Sequence, residues 1–184
     1  MMMYVVFAFL LAQRVSELFI ANRNEKWMKA QGAREYAKEH YPFIVGLHVL
    51  FLLSFFIEVT VFHKTLSPLW FLLLPLIIFT QLIRYWAIYS LGPYWNTKII
   101  VMPGTNVILK GPYKFLKHPN YTVVALEIIL FPLLFNAYLT AVMFTVLNVI
   151  LMKIRIPAEE KVLETVTDYR SIFATKSRFI PKRK

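Results

Sequence analysis

The sequence predicts an all-α integral membrane protein of five transmembrane helices, the last two forming a helical hairpin. Three observations predict it. Apolar stretches recur at 3–21, 43–62, 68–91, 120–131 and 136–154. Basic residues crowd alternate connections between them. The composition is 58% apolar with a mean hydropathy of +0.55. A chain of 184 residues leaves no room beside such spans for a separate soluble domain of ordinary size. Residues 1–184 therefore read as one membrane-embedded domain, with three spans over 1–91 and a second half over 92–184.

A helix needs roughly 20 apolar residues to cross the hydrocarbon core, and three of the stretches reach that length without further argument. The first is no cleaved signal peptide, because it lacks a basic leader and Gln13, Arg14, Ser16 and Glu17 interrupt its apolar run. The connection 22–42 carries Arg23, Lys26, Lys29, Arg34 and Lys38, whereas 63–67 carries only Lys64. The connection 92–119 carries Lys98, Lys110, Lys114 and Lys117. The fourth stretch is short and stops at Phe131-Pro132, so it reads as one arm of a hairpin turning over 132–136. After the fifth stretch, the tail 155–184 is basic from Arg155 to Lys184. Basic connections belong on the cytoplasmic side. The reading is N-terminus out, C-terminus in.

The net charge of +11 meets anionic lipid headgroups on this reading. No basic stripe interleaved with exposed aromatics points to nucleic acid. With no cysteine there is no disulfide, thiol nucleophile or Cys-ligated zinc. Five glycines supply no G-x-G, and there is no P-loop, so a familiar nucleotide cradle has no support. His40, His48, His63 and His118 are scattered and Asp168 is the one aspartate, so no metal box is indicated. No inverted repeat points to a transporter.

Two basic-side stretches carry candidate chemistry. In the first, Gly111-Pro112 opens a turn and His118-Pro119-Asn120-Tyr121 starts the fourth helix. Asn120 is there a candidate N-cap and Pro119 an entry residue, with His118 and Tyr121 as interfacial anchors. Alternatively, His118 and Tyr121 lie one turn apart at the membrane surface and jointly grip a polar ligand. In the second, Arg155 and Glu159 are four apart and share a face if the helix continues. Pro157 either kinks that helix or begins a new one, with Glu159 and Glu160 complementing its N-terminal dipole.

The ordered set of Gly111-Pro112-Tyr113, His118-Pro119-Asn120-Tyr121, Arg155-Ile156-Pro157-Ala158-Glu159-Glu160-Lys161-Val162-Leu163 and Ile180-Pro181 resembles the isoprenylcysteine carboxyl methyltransferase family. Arg14-Val15-Ser16-Glu17-Leu18 and Arg23-Asn24 look like its small bacterial members. Some of those are linked to O-methylation of alkylpyrones from type III polyketide synthases. The resemblance implies S-adenosylmethionine as cofactor, in a pocket that a C-terminal cytosolic helix completes. It implies a lipophilic small-molecule acceptor arriving through membrane lipid, a polyketide synthase upstream, and a bacterial plasma membrane. Carried onto this chain, it implies that Arg155 holds the acceptor's oxyanion, while Glu159 positions Arg155 or offsets the sulfonium and Glu160 completes the network. His118, Pro119 and Tyr121 then contact the cofactor, with Tyr113, Leu116 and Tyr169 around its pocket. Lys117, Val123 and Thr165-Val166 depart from the family's usual Arg, Gly and Phe-Gly, and bear on the substrate class.

Two other functions fit parts of the pattern. Steroid- and sterol-type lipid reductases also carry His-Pro-Asn-Tyr and use NADPH, but a glutamate three residues after the tyrosine is Val124 here. A non-enzymatic lipid-binding subunit needs no ionisable groups in the bilayer. Yet at a helical rise of 1.5 Å, Arg14, Arg84 and Glu127 each lie about 10 Å from the basic end of their spans. Glu17 is one turn nearer that end. Isolated charges at such depth are costly, so Glu127 is expected to bridge Arg84 or Arg14.

Overall fold

A computed structural model describes residues 2–174 and 176–179. Its main elements are α1 (Met2–Ala30), β1 (Arg34–Tyr36), α2 (Tyr41–Val61), α3 (Trp70–Leu91), β2 (Ile99–Val101), α4 (Pro119–Leu134), α5 (Tyr138–Val166) and α6 (Tyr169–Phe173). Helices α1, α2, α3 and α5 are long and apolar enough to cross a membrane, whereas α4 is apolar but has 16 residues. At 1.5 Å per residue α4 is about 24 Å long, short of a hydrocarbon core of roughly 30 Å. It still joins the two ends of the bundle. Its first residue follows the basic connection, and at its other end Leu134 accepts a backbone bond from Ser67 in the α2–α3 connection.

The apolar residues point outward as well as inward. Phe19, Phe43, Leu82 and Val142 are more than three-fifths exposed, as befits helices whose outer surface meets lipid. At the end away from the basic connections, Phe55, Val59, Ile77, Leu130, Phe131 and Phe135 form a shared core of α2, α3, α4 and the α4–α5 turn. Glu58 is buried there and caps α5: its carboxylate accepts from Leu139 N (3.2 Å), Thr140 N (2.7 Å) and Thr140 Oγ1 (2.6 Å). Those donors are among the amides that a helix N-terminus leaves without intrahelical partners, and the dipole favours an anion.

The sequence reading is corrected at several boundaries. Helices α1 and α5 run past their apolar stretches, because hydropathy marks where lipid ends and not where a helix must end. Pro132 lies inside α4, so the hairpin turns at Phe135-Asn136-Ala137 and not from Pro132. Asn136 is left-handed at φ 55°, and the bonds Ala137 N to Pro132 O and Asn136 N to Leu133 O close a Schellman motif. Pro157 neither breaks α5 nor starts a new helix; it sits inside a 29-residue helix at the cost of one backbone bond. Asn120 is the second residue of α4, and His118 holds the capping position.

At the basic end a small antiparallel pair, unforeseen in an all-α reading, joins the first and second basic connections. Arg34, Glu35 and Tyr36 pair with Val101, Ile100 and Ile99. Asn24 of α1 donates to Trp95 O at 2.7 Å and Asn96 donates to Ala21 O at 2.9 Å, fastening the residues after α3 onto α1.

Candidate active site

Three segments converge beside these anchors. Gly111 opens a 3-10 turn over Gly111–Lys114 pressed so closely on α3 that a Cβ would stand 1.9 Å from Ser90 Oγ, and its φ of 53° also favours glycine. This turn delivers the buried Tyr113. Pro119 then starts α4 at its first position, where the missing N–H costs nothing. Beyond α6, residues 116–118 pair in parallel with 177–178: Lys117 N donates to Ser177 O at 3.0 Å and His118 N to Arg178 O at 3.2 Å. Ile180-Pro181 lie outside the described residues.

Arg155, Tyr121 and Glu159 form one chain of contacts. Arg155 and Glu159 are joined through Tyr121. Tyr121 Oη donates to Glu159 Oε2 and accepts from Arg155 Nε at 3.3 Å. Arg155 Nη2 donates to Thr97 O at 3.1 Å. Its Nη1 is buried with no partner among the described residues. Glu160, expected to complete the network, has partners other than Arg155. It bonds His118 Nε2 at 3.0 Å and receives Arg178 Nε at 3.0 Å, so it ties the C-terminal segment to the start of α4. A carboxylate only accepts, so His118 Nε2 carries the hydrogen of this bond. The bond to Glu160 holds the Arg178 guanidinium in its charged form.

A cavity of about 250 Å³ opens among these groups. Tyr113, His118, Tyr121, Arg155, Glu159 and Tyr169 line it, as the sequence reading supposed. Leu116, Pro119 and Glu160 do not line it; Leu116 and Pro119 face a separate apolar recess with Ile83 and Trp86. Burial, and secondarily Glu159, push the Tyr113 hydroxyl above its ordinary range. Burial and then Glu160 do the same for Tyr169, so both stay protonated donors. Lys117 Nζ lies 5.7 Å from the centre of the Tyr169 ring. The sequence reading missed Trp95, whose Nε1 is buried without a partner among the described residues, and gave no ligand role to Asn120, whose Oδ1 is likewise unpaired among them.

The same cavity reaches inward to Arg14, Glu17 and Arg84. These join Glu127 in the bridge foreseen from depth, and the arrangement is fuller than foreseen. Arg84 contacts both Glu17 and Glu127, and Arg14 reaches both at 2.9 Å. Gln13 and Gln81 add bonds to Glu127 at 3.2 and 2.7 Å. Two guanidiniums against two carboxylates cancel, which is what lets four ionisable groups remain in a low-dielectric layer.

Fold and site together define a helical membrane protein with a polar cavity between its basic connections and its bilayer-level core. The sequence profile of the isoprenylcysteine carboxyl methyltransferase family matches residues 71–165. The chain is 47% identical to the uncharacterized protein YpbQ of Bacillus subtilis, over 89% of this chain and 97% of that protein. It is 28% identical to an uncharacterized protein of Haemophilus influenzae, over 86% of this chain and 93% of that one. The chain belongs to the isoprenylcysteine carboxyl methyltransferase family and is an integral membrane protein of that enzyme family.

Proposed function

We propose that the protein transfers a methyl group from S-adenosylmethionine to an oxygen of a lipophilic carboxylate or acidic enol. The transfer takes place at the cytosolic face of a bacterial plasma membrane, with the N-terminus outside. The observation that carries this reading is Arg155: a buried guanidinium on the cavity wall with Nη1 unpaired among the described residues. Such a cation calls for an anion, and a guanidinium meets carboxylate or enolate oxygens with directed, charge-assisted bonds.

The unpaired polar groups also suit the cofactor. Its amino-acid end carries one anion and one cation. Trp95 Nε1 and Tyr169 Oη are donors, while Asn120 Oδ1 is an acceptor, each without a partner among the described residues. When bound, the cofactor supplies a sulfonium-activated methyl group. The protein's own task is then positioning, worth much of the barrier when reacting atoms are held roughly 3 Å apart. Arg155 holds the acceptor oxygen, Tyr121 fixes Arg155 and Glu159 relative to each other, and Glu159 lends negative charge to the wall. Glu160 and Arg178 position His118. A cavity near 250 Å³ is below the roughly 300–1,000 Å³ of ordinary ligand pockets. It accommodates polar heads and leaves an acceptor's tail to the lipid beside Ile44, Val124 and Met152.

Methyl transfer from S-adenosylmethionine labelled in its methyl carbon, to a panel of long-chain acids and enols in proteoliposomes, tests the reading. Arg155→Ala is expected to abolish transfer while the protein remains folded at the assay temperature. Wild-type turnover by that variant would remove Arg155 from the site.

A further inference from the structure

His48 is used by nothing described so far, yet the structure gives it a defined chemical state. It stands on α2 seven residues beyond Tyr41, about 10 Å into the helix at 1.5 Å per residue. That is the depth of the Arg14, Arg84 and Glu127 cluster. Its Nδ1 lies 2.8 Å from Ile44 O. A carbonyl only accepts, so Nδ1 carries the hydrogen. An unpaired imidazolium in the hydrocarbon layer is costly, and Arg14 of α1 and Arg84 of α3 already line the same cavity as His48. The ring is therefore neutral and Nε2 holds a bare lone pair. Among the described residues no side chain or amide donates to it.

The cavity thus has two polar poles. Arg155, Tyr121 and Tyr169 form one, and His48 with Arg14 and Glu17 forms the other. Ile44, Val124 and Met152 line it as well and supply apolar wall. A lone pair at the inner pole is matched by a hydrogen-bond donor. The Nη donors of Arg14 and Arg84 are engaged with Glu17 and Glu127, and Arg84 Nε, which has no partner among the described residues, is not bonded to His48. Accepting the methyl-transfer reading above, we propose that His48 Nε2 accepts a hydrogen bond from a hydroxyl of the lipophilic acceptor, making His48 a specificity-determining residue. A carboxylate anion alone brings only acceptors and leaves the His48 lone pair unmatched. The acceptor class is accordingly a lipid-like molecule bearing at least one protonated hydroxyl.

The test uses full-length protein in nanodiscs and two probes of equal chain length, a long-chain 3-alkylphenol and its methyl ether. Binding is read by titration with the protein saturated in S-adenosylhomocysteine. Wild type is expected to bind the phenol about tenfold tighter than the ether, within what one buried hydrogen bond contributes. His48→Leu should bind both at the ether's affinity. His48→Gln, whose amide oxygen replaces the lone pair, should restore the preference. Equal affinity of wild type for phenol and ether, or an undiminished preference in His48→Leu, overturns the proposal. Failure of the methyl-transfer reading shows separately, as no binding of S-adenosylhomocysteine in the preceding titration.

Discussion

Replacing Glu127 by glutamine removes one of two negative charges from a site holding two guanidiniums. Glu127 receives bonds from Arg14, Arg84, Gln13 and Gln81, and its side chain is 1% exposed. Breaking a buried ion pair by removing one partner costs about 3–5 kcal/mol, because the other charge stays behind. The glutamine oxygen still accepts from the two neighbouring amides, so the expected loss is near the low end, about 3 kcal/mol. The two arginines should differ. The Arg84 side chain is 1% exposed and that of Arg14 is 19% exposed, so Arg14→Gln should cost only about 1–2 kcal/mol. Combining Glu127→Gln with Arg14→Gln restores neutrality, and the pair should lose at least about 1 kcal/mol less than the sum of the single changes. Unfolding by SDS in mixed lipid–detergent micelles measures all three. Additivity within about 0.5 kcal/mol would show that the four charges do not act as a unit.

Three further outcomes follow from named contacts. Glu58→Ala leaves Leu139 N, Thr140 N and the Thr140 hydroxyl without their acceptor. It should lower stability by about 1–3 kcal/mol in the same unfolding assay. His118→Ala should weaken S-adenosylhomocysteine binding tenfold or more, about 1.4 kcal/mol. Arg178→Ala should weaken it less, since Arg178 acts on His118 through Glu160; equal affinity in all three proteins would leave His118 a structural residue. Reporter fusions at Lys64 and at Lys184 should report opposite sides of the membrane, and a cytoplasmic signal from both would refute the orientation.

Much of the fold was legible because hydropathy and helical rise are properties of the chain alone. The rise per residue placed Arg14, Arg84 and Glu127 at one depth, and the structure joins them. It could not enlist Gln13 and Gln81, because neutral amides do not stand out and azimuth depends on how helices pack. The same limit explains the site. His118, Tyr121 and Arg155 were singled out by motif and spacing and line one cavity, but which glutamate meets which partner was not legible, since Glu159 and Glu160 point 100° apart around α5. Tyr121 takes the first and His118 the second. Leu116 was assigned to the pocket by position in a motif and faces the other way. The β1–β2 pair was invisible because each strand has three residues and the partners lie more than sixty residues apart. His48 looked like one scattered histidine until its tautomer and its cavity wall were seen together.

The central claim is that the cavity beside Arg155 and His118 takes a methyl donor. Isothermal titration of the detergent-solubilised protein with S-adenosylhomocysteine and, separately, with NADPH tests it most directly. The account predicts saturable binding of S-adenosylhomocysteine that weakens in His118→Ala and persists in Glu58→Ala at a temperature where both remain folded, with no heat from NADPH. Binding of NADPH without S-adenosylhomocysteine would contradict it and return the site to a lipid reductase.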